Sequence, residues 1–305
     1  MTGHSRPDGN QGAFDAVLSA LYAHPFKIHR PDAQRVPFVF ASPHSGRLYP
    51  AGFVAQSKLD ALSLRRSEDA YVDALFSGAV ALGAPMIAAR FPRAFLDVNR
   101  AASELDPAMF DGALGVRVDT ANARVNAGLG VIPRVVRDGA EIYAGKLSTA
   151  EAKDRIARLH EPYHAALARL IDETLHRFGV AILIDCHSMP SAGSVPDIVL
   201  GDRFGASASA QVTRLAESSF ERFGFSVARN TPYAGGYTTH LYGRRDDGVH
   251  ALQIEINRAR YLNEHSIAPG ADFELVQSRL SQALQSLLAI DLAGLRRDST
   301  PLAAE

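Results

Sequence analysis

The chain has 305 residues, 47% hydrophobic and 21% charged, with a formal net charge of −1. This is the composition of an ordinary globular protein, and its mixed, balanced charges exclude a nucleic-acid footprint; Arg65-Arg66 and Arg296-Arg297 are too short to change that. The single cysteine, Cys186, excludes an internal disulfide framework and suits a reducing cytoplasm, where we expect the protein to reside.

Residues 1–12 are polar, without the apolar core of a signal peptide, and read as a flexible lead-in; no apolar run is long enough to span a bilayer. No linker or low-complexity stretch divides the remaining residues, so 13–305 reads as one domain. Phe14, Val17, Leu18 and Leu21 fall at helical spacing. A connector bracketed by Pro25 and Pro31 leads to a strand over 36–41, delivering Ser42-Pro43-His44-Ser45-Gly46. Ser67 is placed to cap a helix from Glu68 to Leu82. Residues 85–91 and 94–98 read as short strands, the second ending in Asp97-Val98-Asn99-Arg100. From 101 to 146 the periodicity is weak, and the segment reads as an insertion whose best strand is 131–136. Ser148 caps a helix through Phe178 that Pro162 should interrupt or kink. Val180 to Ile184 is a continuous apolar run ending in Asp185-Cys186-His187-Ser188, the pattern of a strand buried on both faces. A strand over 197–200, a helix over 207–223, a strand over 225–228 and an irregular loop over 230–240 come next. The strand 250–257 alternates, with Leu252, Ile254 and Ile256 opposite Gln253, Glu255 and Asn257. A helix over 272–290 closes the domain. Alternating strands and helices predict a three-layer α/β/α sandwich around a mixed, largely parallel sheet.

Two histidines, His44 and His187, each follow an apolar strand and sit beside a serine. Hydrolytic zinc sites use three protein ligands, often two His and a carboxylate, and leave a position for water. His44 and His187 are therefore candidate ligands, and Asp185 is placed to fix the tautomer of one of them. Glu68 and Asp69 are both candidates for the third ligand, and either could instead serve a helix dipole. Glu255, an acid in an otherwise apolar strand, is the candidate general base; a salt bridge to Arg258 or Arg260 is the competing role. Arg100 offers a planar fork for a substrate carboxylate. Gly235-Gly236 permit close backbone approach, and Tyr237 and His240 could donate to an oxyanion. A Cys186–His187 nucleophile pair is excluded because adjacent strand residues diverge. Ser45 and Ser188 lack a G-x-S-x-G context, and Gly128-Leu129-Gly130 lacks the third glycine of a dinucleotide fingerprint.

Taken in order, Ser42-Pro43-His44-Ser45-Gly46, Ser67-Glu68-Asp69-Ala70-Tyr71-Val72-Asp73, Asp97-Val98-Asn99-Arg100, Asp185-Cys186-His187-Ser188 and Gln253-Ile254-Glu255-Ile256-Asn257-Arg258 with Tyr261 resemble the motifs of N-formylglutamate amidohydrolases. The resemblance implies a zinc exopeptidase-like fold and a cytoplasmic deformylase of histidine degradation, acting on a small N-acyl amino acid. It implies one zinc ion, replaceable by other divalent metals, on His44, Asp69 and His187, with Asp69 matching better than Glu68. It implies Glu255 as the water-activating base and Asn99 with Arg100 as the substrate-carboxylate site. The carboxypeptidase pattern His-x-x-Glu is absent, since Arg47 stands at the glutamate position. A zinc peptidase, an amidohydrolase of another N-acyl amino acid and a non-catalytic small-ligand-binding protein remain as alternatives.

Overall fold

Three apolar segments, Phe38–Ser42, Ala181–Met189 and Val249–Asn257, are buried along their whole length and lie side by side as parallel strands. Strands covered on both faces read as nearly continuous hydrophobic runs, which is why these segments form the centre of the sheet. The computed structural model describes residues 15–115, 118–119, 122–136, 139–191, 193, 195–289 and 295. The expectations for 1–12, Phe14, Ile290 and Arg296-Arg297 lie outside them.

In chain order the strands of the large sheet are β1 (Phe26–His29), β2 (Phe38–Ser42), β3 (Met86–Ala89), β4 (Ala181–Met189), β5 (Ile198–Gly201), β6 (Val227–Arg229) and β7 (Val249–Asn257). They are arranged β1-β3-β2-β4-β7-β5-β6. Strands β3, β2, β4 and β7 are mutually parallel, β1 and β5 run antiparallel to their inner neighbours, and β6 is parallel to β5. The sheet is therefore mixed, with helices on both sides. On one face Val39, Ala41, Ala181, Leu183, Val249 and Ala251 pack with Leu21 of the Ala16–Ala23 helix and Leu167, Leu170 and Ile171 of the Glu161–Phe178 helix. On the other face Phe38, Phe40, Ile182, Ile184, Leu252 and Ile254 meet Val212, Ala216 and Phe220 of the Ala210–Arg222 helix and Leu280, Ala283 and Leu284 of Phe273–Leu288. Burying each such large apolar side chain contributes about 1.5–3 kcal/mol.

Several expected elements take another form. Glu68 to Leu82 is not one helix: Tyr71 has φ 63°, and only Val72–Leu75 and Gly78–Ala81 are helical. The Asp69 N–H donates to the His44 carbonyl at 3.0 Å, so the residues meant to start the helix are pinned to the loop after β2. Residues 94–98 turn instead of extending, because the Pro92 carbonyl accepts from both Phe95 and Leu96. Residues 131–136 carry only an isolated bridge, Val135 to Glu141. The interruption expected at Pro162 is present, as a change of helix type and not as a break in the chain's path. A π-helical turn, Ile156–His160, joins Thr149–Arg155 to Glu161–Phe178, and Pro162 sits in the first turn of the latter, where no amide donor is required. The connector between Pro25 and Pro31 contains edge strand β1, and the loop 230–240 runs into a helix, Tyr237–Tyr242.

Candidate metal centre and active site

The parallel strands β2, β4 and β7 end at one edge of the sheet, the place where open α/β folds gather polar groups. His187 on β4 stands directly opposite Glu255 on β7, and Asp185 opposite Gln253. These four share the sheet face of Leu183 and Ala251, and Gln253 and Glu255 line a cavity there. Cys186 points into the opposite core, where burial pushes its thiol up and makes it a poor nucleophile.

His44, Asp69 and His187 are brought together, their ligand-type atoms all within 4.8 Å of one another. Asp69 Oδ2 lies 3.2 Å from His44 Nδ1 and 3.0 Å from His187 Nδ1. The far nitrogen of each ring is held by another acid. His44 Nε2 donates to Asp97 Oδ1 at 2.7 Å. His187 Nε2 lies 2.9 Å from Asp185 Oδ2, an ion-pair contact without hydrogen-bond alignment; neither Asp185 oxygen has a hydrogen-bond partner among the described residues. Once each Nε2 carries the proton, two Nδ1 lone pairs and a carboxylate oxygen face each other inside the protein. Such a donor set suits a divalent cation.

The surroundings tune every group. Burial would raise the Asp69 carboxyl, but its bonds to His187 and His44 hold it well below its usual range. Burial would lower His187, yet Asp185 and Asp69 raise it well above the usual imidazole value. Asp69 Oδ1 accepts from Ser188 Oγ and Arg258 Nη2, each at 3.0 Å, which fixes the carboxylate plane. Glu68 turns away: Tyr49 donates to it at 2.7 Å and Arg65 Nε at 3.0 Å. The ambiguity between the adjacent acids is thereby resolved in favour of Asp69 as the acid facing the imidazoles.

Glu255 is 7% exposed and lines the same cavity of about 490 Å3. Burial, with the Asp69 charge added, raises its carboxyl to about 7 against the pull of His187. Its Oε1 accepts from Gln253 Nε2 at 2.9 Å. The competing ion pairs do not form: Arg258 bonds to Ser188 and Asp69, and Arg260 to Asp197.

Asn99 and Arg100 line the cavity, tightly built into the protein. Asn99 Oδ1 accepts from the Thr238 N–H at 2.8 Å, and Arg100 Nε and Nη1 donate to the carbonyls of Leu129 and Asn99, each at 2.9 Å. Gly236 serves this packing, since a Cβ there would stand 2.4 Å from the Asn99 amide. Tyr237 and His240 do not line the cavity. The helix begun at Gly236 carries Tyr237 onto His160 and His164 and leaves His240 exposed, so neither is placed to meet an oxyanion. Sequence reasoning gave no role to Asp97, Arg93, Gln253 or Ser188. Arg93 Nε donates to Asp97 Oδ2 at 2.9 Å, and the four-residue spacing between them was the available signal.

The family model described as N-formylglutamate amidohydrolase matches residues 36–262. An N-formylglutamate deformylase of Pseudomonas aeruginosa is 32% identical over 270 residues, covering 84% of this chain and 94% of the relative. One of Pseudomonas putida is 29% identical, covering 84% and 93%. Among solved structures, the N-formylglutamate amidohydrolase of Ralstonia eutropha superposes with a TM-score of 0.82 at 34% identity, covering 87% of this chain and 97% of that one. With the motifs, the fold and these matches in agreement, the chain belongs to the N-formylglutamate amidohydrolase family.

Proposed function

We propose that the protein is a metal-dependent deformylase that hydrolyses the formyl amide of N-formyl-L-glutamate to glutamate and formate. The observation that carries this reading is the buried His44–Asp69–His187 cluster with Glu255 in the same cavity, in a chain of this family. Two imidazoles and a carboxylate suit zinc, and each imidazole is backed by a carboxylate that orients it. Bound to these residues, a divalent ion supplies a Lewis acid that polarises the formyl carbonyl and acidifies water.

The chain's own groups do the rest. Glu255, as carboxylate, takes a proton from the attacking water while a C–O bond forms at the formyl carbon. It returns that proton to the amide nitrogen as the C–N bond breaks, so glutamate leaves as the amine and the formyl group as formic acid, which ionises to formate. A base raised to about 7 is matched to both duties near neutral pH. Gln253 holds the carboxylate in place. Arg100, with Arg93 on the same cavity, supplies positive charge for a substrate carboxylate and the developing oxyanion. Asn99 packs between this loop and His187, its Nδ2 3.3 Å from His187 Nε2.

The test is a panel of N-formyl-L-glutamate, N-acetyl-L-glutamate and short peptides with metal-replete protein, reading formate and free amine. Preferential deformylation supports the reading, and peptide cleavage without deformylation contradicts it. The backing acids give a second test. Asp97→Asn removes the charge holding His44 Nε2, and metal affinity is expected to fall by about 10- to 100-fold in a chelator competition titration. Unchanged affinity would show that Asp97 only braces Arg93.

A further inference from the structure

Within the segment from 101 to 146, Arg124, Leu129, Pro133 and Val135 form part of the cavity lining. The arginines nearest the imidazoles already have partners. Arg258 is bonded to Asp69 and Ser188, Arg93 to Asp97, and Arg100 to two main-chain carbonyls. Arg124 differs, since among the described residues its guanidinium makes no hydrogen bond or ion pair, and it is exposed to solvent in the cavity. Its backbone is nonetheless fixed. Asn122 Oδ1 accepts from the Arg124 N–H at 2.9 Å, the Leu129 N–H donates to the Arg124 carbonyl at 2.8 Å, and the Arg134 N–H to the Gly128 carbonyl at 2.8 Å. Leu129 in turn accepts from Arg100, which ties this wall to the substrate-carboxylate loop.

We infer that this wall reads the side chain of the amino acid, with Arg124 receiving its terminal carboxylate and Leu129, Pro133 and Val135 packing against its methylene groups. The inference rests on the deformylase reading and adds to it the origin of the acidic preference. With the formyl carbon at the imidazole cluster and the α-carboxylate at Arg100, the side chain is left to extend along the remaining wall. There Arg124 is the cation whose guanidinium, among the described residues, has no partner. A guanidinium also matches a carboxylate fork and offers nothing comparable to a carboxamide, so glutamate is favoured over glutamine.

Steady-state kinetics of the metal-replete wild type and Arg124→Gln on N-formyl-L-glutamate and N-formyl-L-glutamine decide the matter. The wild type is expected to prefer the glutamate substrate, and Arg124→Gln to lose about 10- to 100-fold in kcat/KM on it, mainly through KM, while the glutamine substrate is unaffected. Because Arg124 is exposed, the wild-type preference should also shrink as salt is raised. A variant that keeps the full preference overturns the inference and leaves deformylation standing. So does a wild type that deformylates both substrates equally. A wild type that deformylates neither removes both the inference and the reading beneath it.

Discussion

Glu255→Gln is expected to retain its metal and lose about 100- to 10,000-fold in kcat, the range a positioned proton-transfer group supplies. The substitution keeps the shape of the side chain and the contact with Gln253 while removing the proton acceptor. Metal retention is expected because Glu255 is not one of the three clustered ligand residues. The pH dependence has a definite sign. A general base must be deprotonated, and burial raises the Glu255 carboxyl from 4.5 to about 7. Wild-type kcat/KM should therefore fall on acidification well before an ordinary carboxylate would protonate, and the residual activity of the variant should lack that limb. Parallel elemental analysis and pH-rate profiles check both halves. Full turnover by Glu255→Gln would remove the residue from the mechanism.

His187→Ala is expected to lose metal and activity together. The change deletes one of the three clustered ligands and also strips Asp69 and Asp185 of the imidazole between them. Removing one partner from a buried charged set costs about 3–5 kcal/mol, so the melting temperature should fall as well. His187→Asn retains a polar group of smaller size and separates the two effects: it should recover part of the stability without recovering the metal. Near-native activity in either variant would contradict the assignment of His187.

Much of the fold and the site could be read from the chain because the signals were local. Val180 to Ile184 is apolar on both faces, the pattern of a strand covered by helices on both sides, and β4 begins within it at Ala181. His44 and His187 stood at strand ends, and parallel pairing carried those ends to one edge of the sheet. What failed was local reading where long-range contacts decide. Ser67-Glu68-Asp69 has the composition of a helix start, yet Asp69 is drawn to two imidazoles from other elements and the helix begins only at Val72. Ala94 to Val98 has strand composition, but Asp97 must turn to reach His44 and Arg93. Tyr237 and His240 looked available because they follow two glycines; the short helix after Gly236 turns them aside. The pairing of Asp97 with His44 could not be read locally, since nothing near it in sequence names the imidazole 53 positions away.

Whether His44, Asp69 and His187 hold one catalytic divalent ion is tested most directly by elemental analysis of the purified protein. Deformylation of N-formyl-L-glutamate is measured alongside it before chelation, after it, and after metal is returned. We expect one metal ion per chain, loss of turnover on chelation, and recovery on addition of zinc or a similar divalent ion. A protein freed of metal that deformylates at its original rate would contradict this assignment.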